Sequence, residues 1–305
     1  MSSTGVRSTH VAAPSLRYCG RDFSPEELVW IDRLIAENPE LTRARLSRRV
    51  CEHLDWIKPD GSLKEMSCRV AMLRMHRDGI LELPPPRNGN VNGRHRPQAT
   101  EATDPKPALC MPAGALGALS FRMVNTRRES SLWNELIERY HYLGYMPLAG
   151  AQIRYLVSAG PDLLAAMGFG AAAWALGPRD VFIGWSAVQR KKNLHLVVNN
   201  ARYLILPWVR SKCLASRILA TAARKLPDDW QARYGYKPVL METFVLSERF
   251  SGTCYRAANW TYVGQTTGRG KLDRSHKHPV PLKDVFVYPL HRKFRTLLGV
   301  QEQLP

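Results

Sequence analysis

Between residues 23 and 83 apolar residues recur every three or four positions, the spacing of helices that bury one face. Ser24, Pro25 and Glu27 together form a helix start: an N-cap, a proline at the first helical position and a capping-box partner. Leu28, Ile31, Leu34 and Ile35 then fall on one side. Thr42 opens a second helix that turns Leu46, Val50 and Leu54 inward and Arg43, Arg45, Arg48 and Arg49 mostly outward. After the turn Lys58-Pro59-Asp60-Gly61-Ser62 a third helix is expected from Leu63 to His76, with Met66, Val70 and Leu73 inward. "DGILELP", residues 78–84, reads as a short closing strand. Three helices followed by a strand is the pattern of a winged helix-turn-helix.

Residues 84–115 begin rich in Pro, Gly and Asn and show no apolar period, so they are expected to link two domains, one over 23–83 and one over 116–298. In the second, "LSFRMVN", "AQIRYLVSA", "LLAAMGFGAAAWAL", "ARYLILPWV", "KPVLMETFVL" and "TYVGQT" read as strands. "SSLWNELIERYHYLG" and "CLASRILATAARKLPDDW" read as helices, the latter with Leu214, Ile218, Ala222 and Leu226 inward, and "GTCYRAANW" as a short one. Strands interleaved with helices make this a mixed α/β sheet domain, and the whole chain an α+β protein.

Charge adds a partner to this picture. The 305 residues carry 44 Lys and Arg against 26 Asp and Glu, a formal net charge of +18. Such an excess points to a polyanion, and DNA is the expected partner. Residues 190–234 hold ten basic side chains against two acids, and 256–295 hold nine against two. Arg43, Arg45, Arg48 and Arg49 before the turn, with Lys64, Arg69 and Arg74 on the third helix, are candidate DNA contacts. So are Arg190, Lys191 and Lys192 in one tract and Arg256, Asn259, Arg269 and Lys271 in the other. Six scattered cysteines with no CxxC pair argue against a zinc site or a disulfide framework, so no metal is expected. No window is apolar enough for a membrane span and the N-terminus has no signal-peptide core, so a cytoplasmic protein is expected.

Candidate chemistry centres on Glu242, a carboxylate inside the apolar run "VLMETFV", where burial is costly unless the group is paired or has a task. A structural partner, a backbone amide or a neighbouring Arg, is as good an account of it. Tyr255 and Asn259 lie four residues apart on the short helix that follows, and are expected to share a face near Glu242. Asp180, far away in sequence, could meet Glu242 in space. His141 in "YHYLGY" completes the candidate catalytic set, alongside the reading of that segment as a helix C-cap with packing tyrosines.

"YHYLGY", "RDVFIGWS…QRKKNL", "VVNNARYLILPWV", "LASRIL", "ETFV" and "GTCYRAANWTYVGQTTGRGK" together resemble the DruA family, over most of residues 25–295. The resemblance implies a component of the Druantia anti-phage defence system, although relatives also accompany mobile elements; other defence or transposition proteins are then possible partners. The order of elements in the second domain also resembles, more loosely, the GNAT acyltransferase fold. That likeness implies acetyl-CoA as a cofactor, bound at "RSKCLA", and Tyr255 as the acid that protonates a thiolate leaving group. Cys213 stands where the resemblance expects a glycine, and its Cβ would crowd the pyrophosphate, which speaks against the cofactor. Three functions are therefore expected as alternatives: a DNA-binding or DNA-processing protein of a defence system or mobile element, an acyltransferase modifying a nucleic acid or protein with Glu242 as base, and a non-catalytic DNA-binding adaptor for a helicase or transposase.

Overall fold

A computed structural model describes residues 15–86, 96–268 and 281–299. It divides into two compact units, Met1–Asn90 and Val91–Pro305. The first opens with a hairpin, β1 (Leu16–Tyr18) and β2 (Arg21–Phe23), that pattern reading did not detect. Its turn residues Cys19 and Gly20 both have positive φ, 50° and 81°, which matches the right-handed twist of the flanking strands. Three helices follow: α1 (Pro25–Glu37), α2 (Arg43–His53) and α3 (Glu65–Arg77). The start signals act as expected, Ser24 and Glu27 forming a reciprocal capping box and Thr42 accepting from the Arg45 amide.

The third helix is rotated from its expected orientation. Cys68, Ala71, Met72 and Met75 are buried, whereas Met66 is 63% and Val70 37% exposed. Small Cys68 and Ala71 on the inner face let α2 and α3 approach closely, and Cys51 of α2 joins the same core. The strand expected over residues 78–84 does not form. Leu81 and Leu83 instead pin this segment into the core, where His76 Nδ1 accepts from the Leu83 amide at 3.3 Å.

In the second unit a sheet of seven strands runs, among the described residues, in the order β3-β4-β5-β6-β7-β9-β8. The strands are β3 (Leu119–Met123), β4 (Ile153–Ala159), β5 (Asp162–Ala171), β6 (Val197–Ile205), β7 (Leu240–Leu246), β8 (Thr261–Gln265) and β9 (Lys283–Pro289). Between them lie α4 (Arg127–Tyr140), α5 (Gly177–Ile183), α6 (Ala187–Asn193), α7 (Leu214–Tyr234) and α8 (Thr253–Ala257), and α9 (Phe294–Leu297) follows β9. All neighbours pair antiparallel except β6 and β7, which are parallel and joined by the crossover helix α7. Leu214, Ile218, Ala222 and Leu226 of α7 are all buried, as their spacing requires. Trp133 of α4 packs against the sheet at Gly168, where a Cβ would come within 2.9 Å of its ring, and donates Nε1–H to the Met167 carbonyl.

Part of the stretch expected to link the domains packs onto this unit. Tyr140 donates to the Thr103 carbonyl at 2.7 Å, Arg139 pairs with Asp104 at 2.6 Å, and Leu109 bridges to Val209. No helix among the described residues is long and apolar enough to cross a membrane.

One irregularity in the sheet shapes the candidate site. The β6–β7 ladder is only three residue pairs long, Val197–Asn199 against Leu240–Glu242. Beyond it β6 stays with β5 and β7 with β9, so the two strands part.

Candidate functional site: a basic cleft where two strands part

A cavity of about 560 Å³ fills the gap between β6 and β7, within the size range of small-molecule sites. Neighbouring residues of a strand point to opposite faces, so the gap is lined from both sides of the sheet. Tyr203 reaches α7, donating its hydroxyl to the Ala215 carbonyl at 2.7 Å. Arg202, next to it, faces the end of α4, where His141 and Tyr142 stand. Arg249, Phe250 and Lys283 stand with them around the cavity, Arg249 and Phe250 being exposed.

The lining is basic and contains no Asp or Glu. Arg202 donates to the Ala201 carbonyl at 2.8 Å, but its Nε is buried without a partner. The Arg249 guanidinium lies 5.4 Å from both the Tyr142 and the Phe250 ring centres, and these rings meet edge to face at 5.3 Å. His141 accepts the Leu143 amide on Nδ1 at 3.2 Å, so in the neutral ring the proton sits on Nε2. Burial, helped by the charges of Arg202 and Arg249, holds its pKa down to about 4. At neutral pH His141 is therefore an uncharged hydrogen-bond donor rather than a base.

The floor is a closed polar set. Tyr255 donates to Asn200 Oδ1 at 3.0 Å, and Thr243 donates to the Asn200 carbonyl at 3.0 Å. The Tyr255 ring stacks on Phe286 at 5.7 Å and meets Trp260 edge-on at 5.2 Å. Burial pushes the Tyr255 hydroxyl above its ordinary pKa. Gly252 makes the packing possible, since a Cβ there would lie 2.6 Å from Phe286 Cζ.

Glu242 belongs to a different cluster. Its neighbour Thr243 faces Tyr255, so Glu242 points to the opposite side of the sheet. There it accepts from Arg179 at 2.7 Å and from the Ala173 amide at 2.8 Å, with both side chains of the pair fully buried. Burial raises the Glu242 pKa, and the Arg179 charge and Ala173 amide pull it back. Asp180 does meet Glu242 in space, through Arg179, which donates to both. Trp185 and Arg190 donate to Asp180 as well, at 2.9 Å each. Glu242 and Tyr255 are thus not brought together, and the two carboxylates are joined through Arg179 instead.

The remaining sequence candidates divide. Asn259 is exposed with a φ of 62°, two residues past the end of α8, so it does not share the face of buried Tyr255. Exposed Arg256 covers the Tyr262 and Phe286 rings, at 5.4 and 5.1 Å. Lys191 and Lys192 are exposed, while Arg190 is engaged by Asp180. Arg269 and Lys271 lie outside the described residues. In the helical unit Arg45, Arg48, Arg49 and Arg74 are exposed, and Lys64 and Arg69 partly so. Arg43 is half-buried, bonding the Pro84 carbonyl at 2.6 Å. The rotation of α3 sets Met66, Val70, Arg74 and Arg77 on one exposed stripe.

Arg202, Arg249, Lys283, Asn200 and Thr243 escaped the sequence reading. Arg202 did leave a signal, a lone cation inside the apolar run "ARYLILPWV", of the same kind that singled out Glu242. Cys213 has a φ of 65°, the glycine-like backbone expected at that point. It is the N-cap of α7, and its side chain makes no capping hydrogen bond.

Fold and site define a two-unit protein: a small helical unit, and a mixed α/β unit whose large sheet parts around a basic cleft. The chain belongs to the DruA family, since the family model described as Druantia protein DruA matches residues 74–277. The match spans the whole cleft apart from Lys283 and starts in the last turn of α3, leaving α1 and α2 outside it. No curated protein matches the chain. Among solved structures it is similar to a spermidine N-acetyltransferase SpeG chimera from Vibrio cholerae and hSSAT, at 12% identity and a TM-score of 0.38, covering 59% of this chain and 98% of that one. It is also similar to aminoglycoside acetyltransferase AAC(6')-Ib in complex with coenzyme A, at 14% identity and a TM-score of 0.38, covering 58% and 96%. A third is yncA of Salmonella typhimurium, a putative acetyltransferase with acetyl-CoA, at 11% identity and a TM-score of 0.30, covering 46% and 66%.

Proposed function

We propose that this chain is a DNA-binding protein of an anti-phage defence system, with α2 and α3 as its DNA-facing helices. The family supplies the defence context. The observation that carries DNA binding is the exposed face of α3, where Met66, Val70, Arg74 and Arg77 share one stripe. An exposed apolar pair flanked by arginines on one helix face suits a major groove, with thymine methyls against the apolar side chains and phosphates against the guanidiniums. Exposed Arg45, Arg48 and Arg49 on the preceding helix suit the phosphate backbone, as the first helix of a helix-turn-helix does. A net charge of +18 adds long-range attraction.

The test is binding of the full chain to a labelled duplex, read by fluorescence anisotropy. Affinity is expected to fall steeply between ~50 and ~200 mM salt as phosphate contacts release counterions. Changing Arg45, Arg48 and Arg49 together to Ala is expected to weaken binding while the circular dichroism spectrum stays unchanged. Salt-independent binding, or full affinity in a folded triple variant, would remove the reading.

A further inference from the structure

We propose that the gap between β6 and β7 is a binding site for a nucleoside phosphate, its phosphate oxygens held by Arg202, Arg249 and His141 and its base set against Tyr142 and Phe250. Several donors around the gap lack acceptors. Arg202 Nε is buried with no hydrogen-bond partner, a rare condition for so strong a donor. Neither Arg202, Arg249 nor Lys283 has an ion-pair partner among the described residues, and no acid lines the cavity. The occupant must therefore bring the acceptors and the negative charge.

His141 narrows the class. With Nδ1 already accepting the Leu143 amide, the ring offers Nε2–H outward. Two guanidiniums and a neutral imidazole donor make an all-donor set with several separate N–H groups. A phosphate, with its several acceptor oxygens, fills such a set better than a carboxylate with two.

The aromatic side of the cleft supplies the second half of the ligand. Tyr142 and Phe250 stand edge to face at 5.3 Å, with the Arg249 guanidinium over both, and Phe250 is 43% exposed. An exposed ring beside a cation is a stacking surface for a base. A cavity of about 560 Å³ is of a size for one nucleotide rather than a longer segment. The nucleotide could be free or be the phosphorylated end of a strand. The recognition chemistry is the same, and the arms of the test separate the two. This site lies wholly within the sheet unit and does not rest on the DNA face of the helical unit.

The full chain is titrated calorimetrically with ATP, with adenosine, and with a short single-stranded oligonucleotide carrying either a 5′-phosphate or a 5′-hydroxyl. ATP is expected to bind and adenosine to bind far more weakly. Arg249→Ala, at an exposed position, and Arg202→Gln are each expected to weaken ATP about tenfold or more, the loss of a hydrogen bond to a charged group. The Arg45, Arg48, Arg49 triple variant is expected to bind ATP as the parent does, so the helical face and the cleft fail separately. Binding of the oligonucleotide only with its 5′-phosphate, and lost in Arg249→Ala, would support the site with a strand end as its ligand. No binding by ATP or the phosphorylated strand, or affinities unchanged in both single variants, would overturn it.

Discussion

Glu242→Gln decides between the two roles open to a buried carboxylate, chemistry and structure. Glu242 and Arg179 are both 0% exposed, and the carboxylate accepts from Arg179 and from the Ala173 amide at 2.7 and 2.8 Å. Glutamine has the same volume but a single acceptor oxygen, so one of these donors then faces an amide NH2. Removing one partner of a buried ion pair costs about 3–5 kcal/mol when the other charge is left bare. Here Asp180 still holds Arg179 through two bonds, at 2.9 and 2.7 Å, so the guanidinium keeps a counter-charge. The loss is then that of one hydrogen bond to a charged group plus a mismatched donor, about 2–3 kcal/mol. For a unit of this size that corresponds to a fall of roughly 4–12 °C in Tm. Differential scanning calorimetry of the full chain measures it in the sheet-unit transition. The double variant Glu242→Gln with Arg179→Met is expected to lose less than the sum of the single changes. A Tm within ~2 °C of the parent, together with lost biological activity, would refute the structural account and return Glu242 to catalysis.

Three other outcomes are expected. Gly252→Ala places a Cβ 2.6 Å from Phe286 Cζ at a backbone φ of 69°, so urea unfolding should show a loss of about 2–4 kcal/mol from left-handed strain and overpacking; a change below ~0.5 kcal/mol would mean that Phe286 yields freely. His141 titrates near 4 when folded against 6.5 in an open chain, so between those values the unfolded chain binds the proton and the folded one does not. Its stability contribution is complete above pH 6.5 and is lost as pH falls toward 4, by about 2–3 kcal/mol, and His141→Asn should flatten that part of the urea stability profile relative to the parent. Met66→Glu and Val70→Glu, at exposed positions, should each leave stability within ~0.5 kcal/mol and still weaken duplex binding; strong destabilisation would put α3 back in the inward orientation that its apolar pattern first suggests.

That orientation shows where pattern reading stops. Helix starts at Ser24 and Thr42 were legible because capping is local chemistry, and α7 because its apolar positions are large and evenly spaced. The inner face of α3 was not, since close packing there selects Cys68 and Ala71, which look less apolar than Met66 and Val70 beside them. Glu242 stood out as a carboxylate in an apolar strand, but the sequence pointed only to some backbone amide or Arg as its structural partner, not to Arg179. Arg202 was equally out of place but was absorbed by the strand around it. The cleft was illegible for a topological reason: it exists because β6 and β7 stop pairing after three residues, and no local motif announces where a parallel ladder ends.

The central claim, that α3 presents its arginines to DNA, is tested most directly by the salt dependence of duplex binding. The logarithm of the binding constant is measured against the logarithm of salt concentration for the full chain and for Arg74→Ala with Arg77→Ala. Each lost phosphate contact lowers the slope by about 0.9. The account predicts a slope shallower by roughly 1.8 in the double variant, with an unchanged Tm. An identical slope in parent and variant would contradict it.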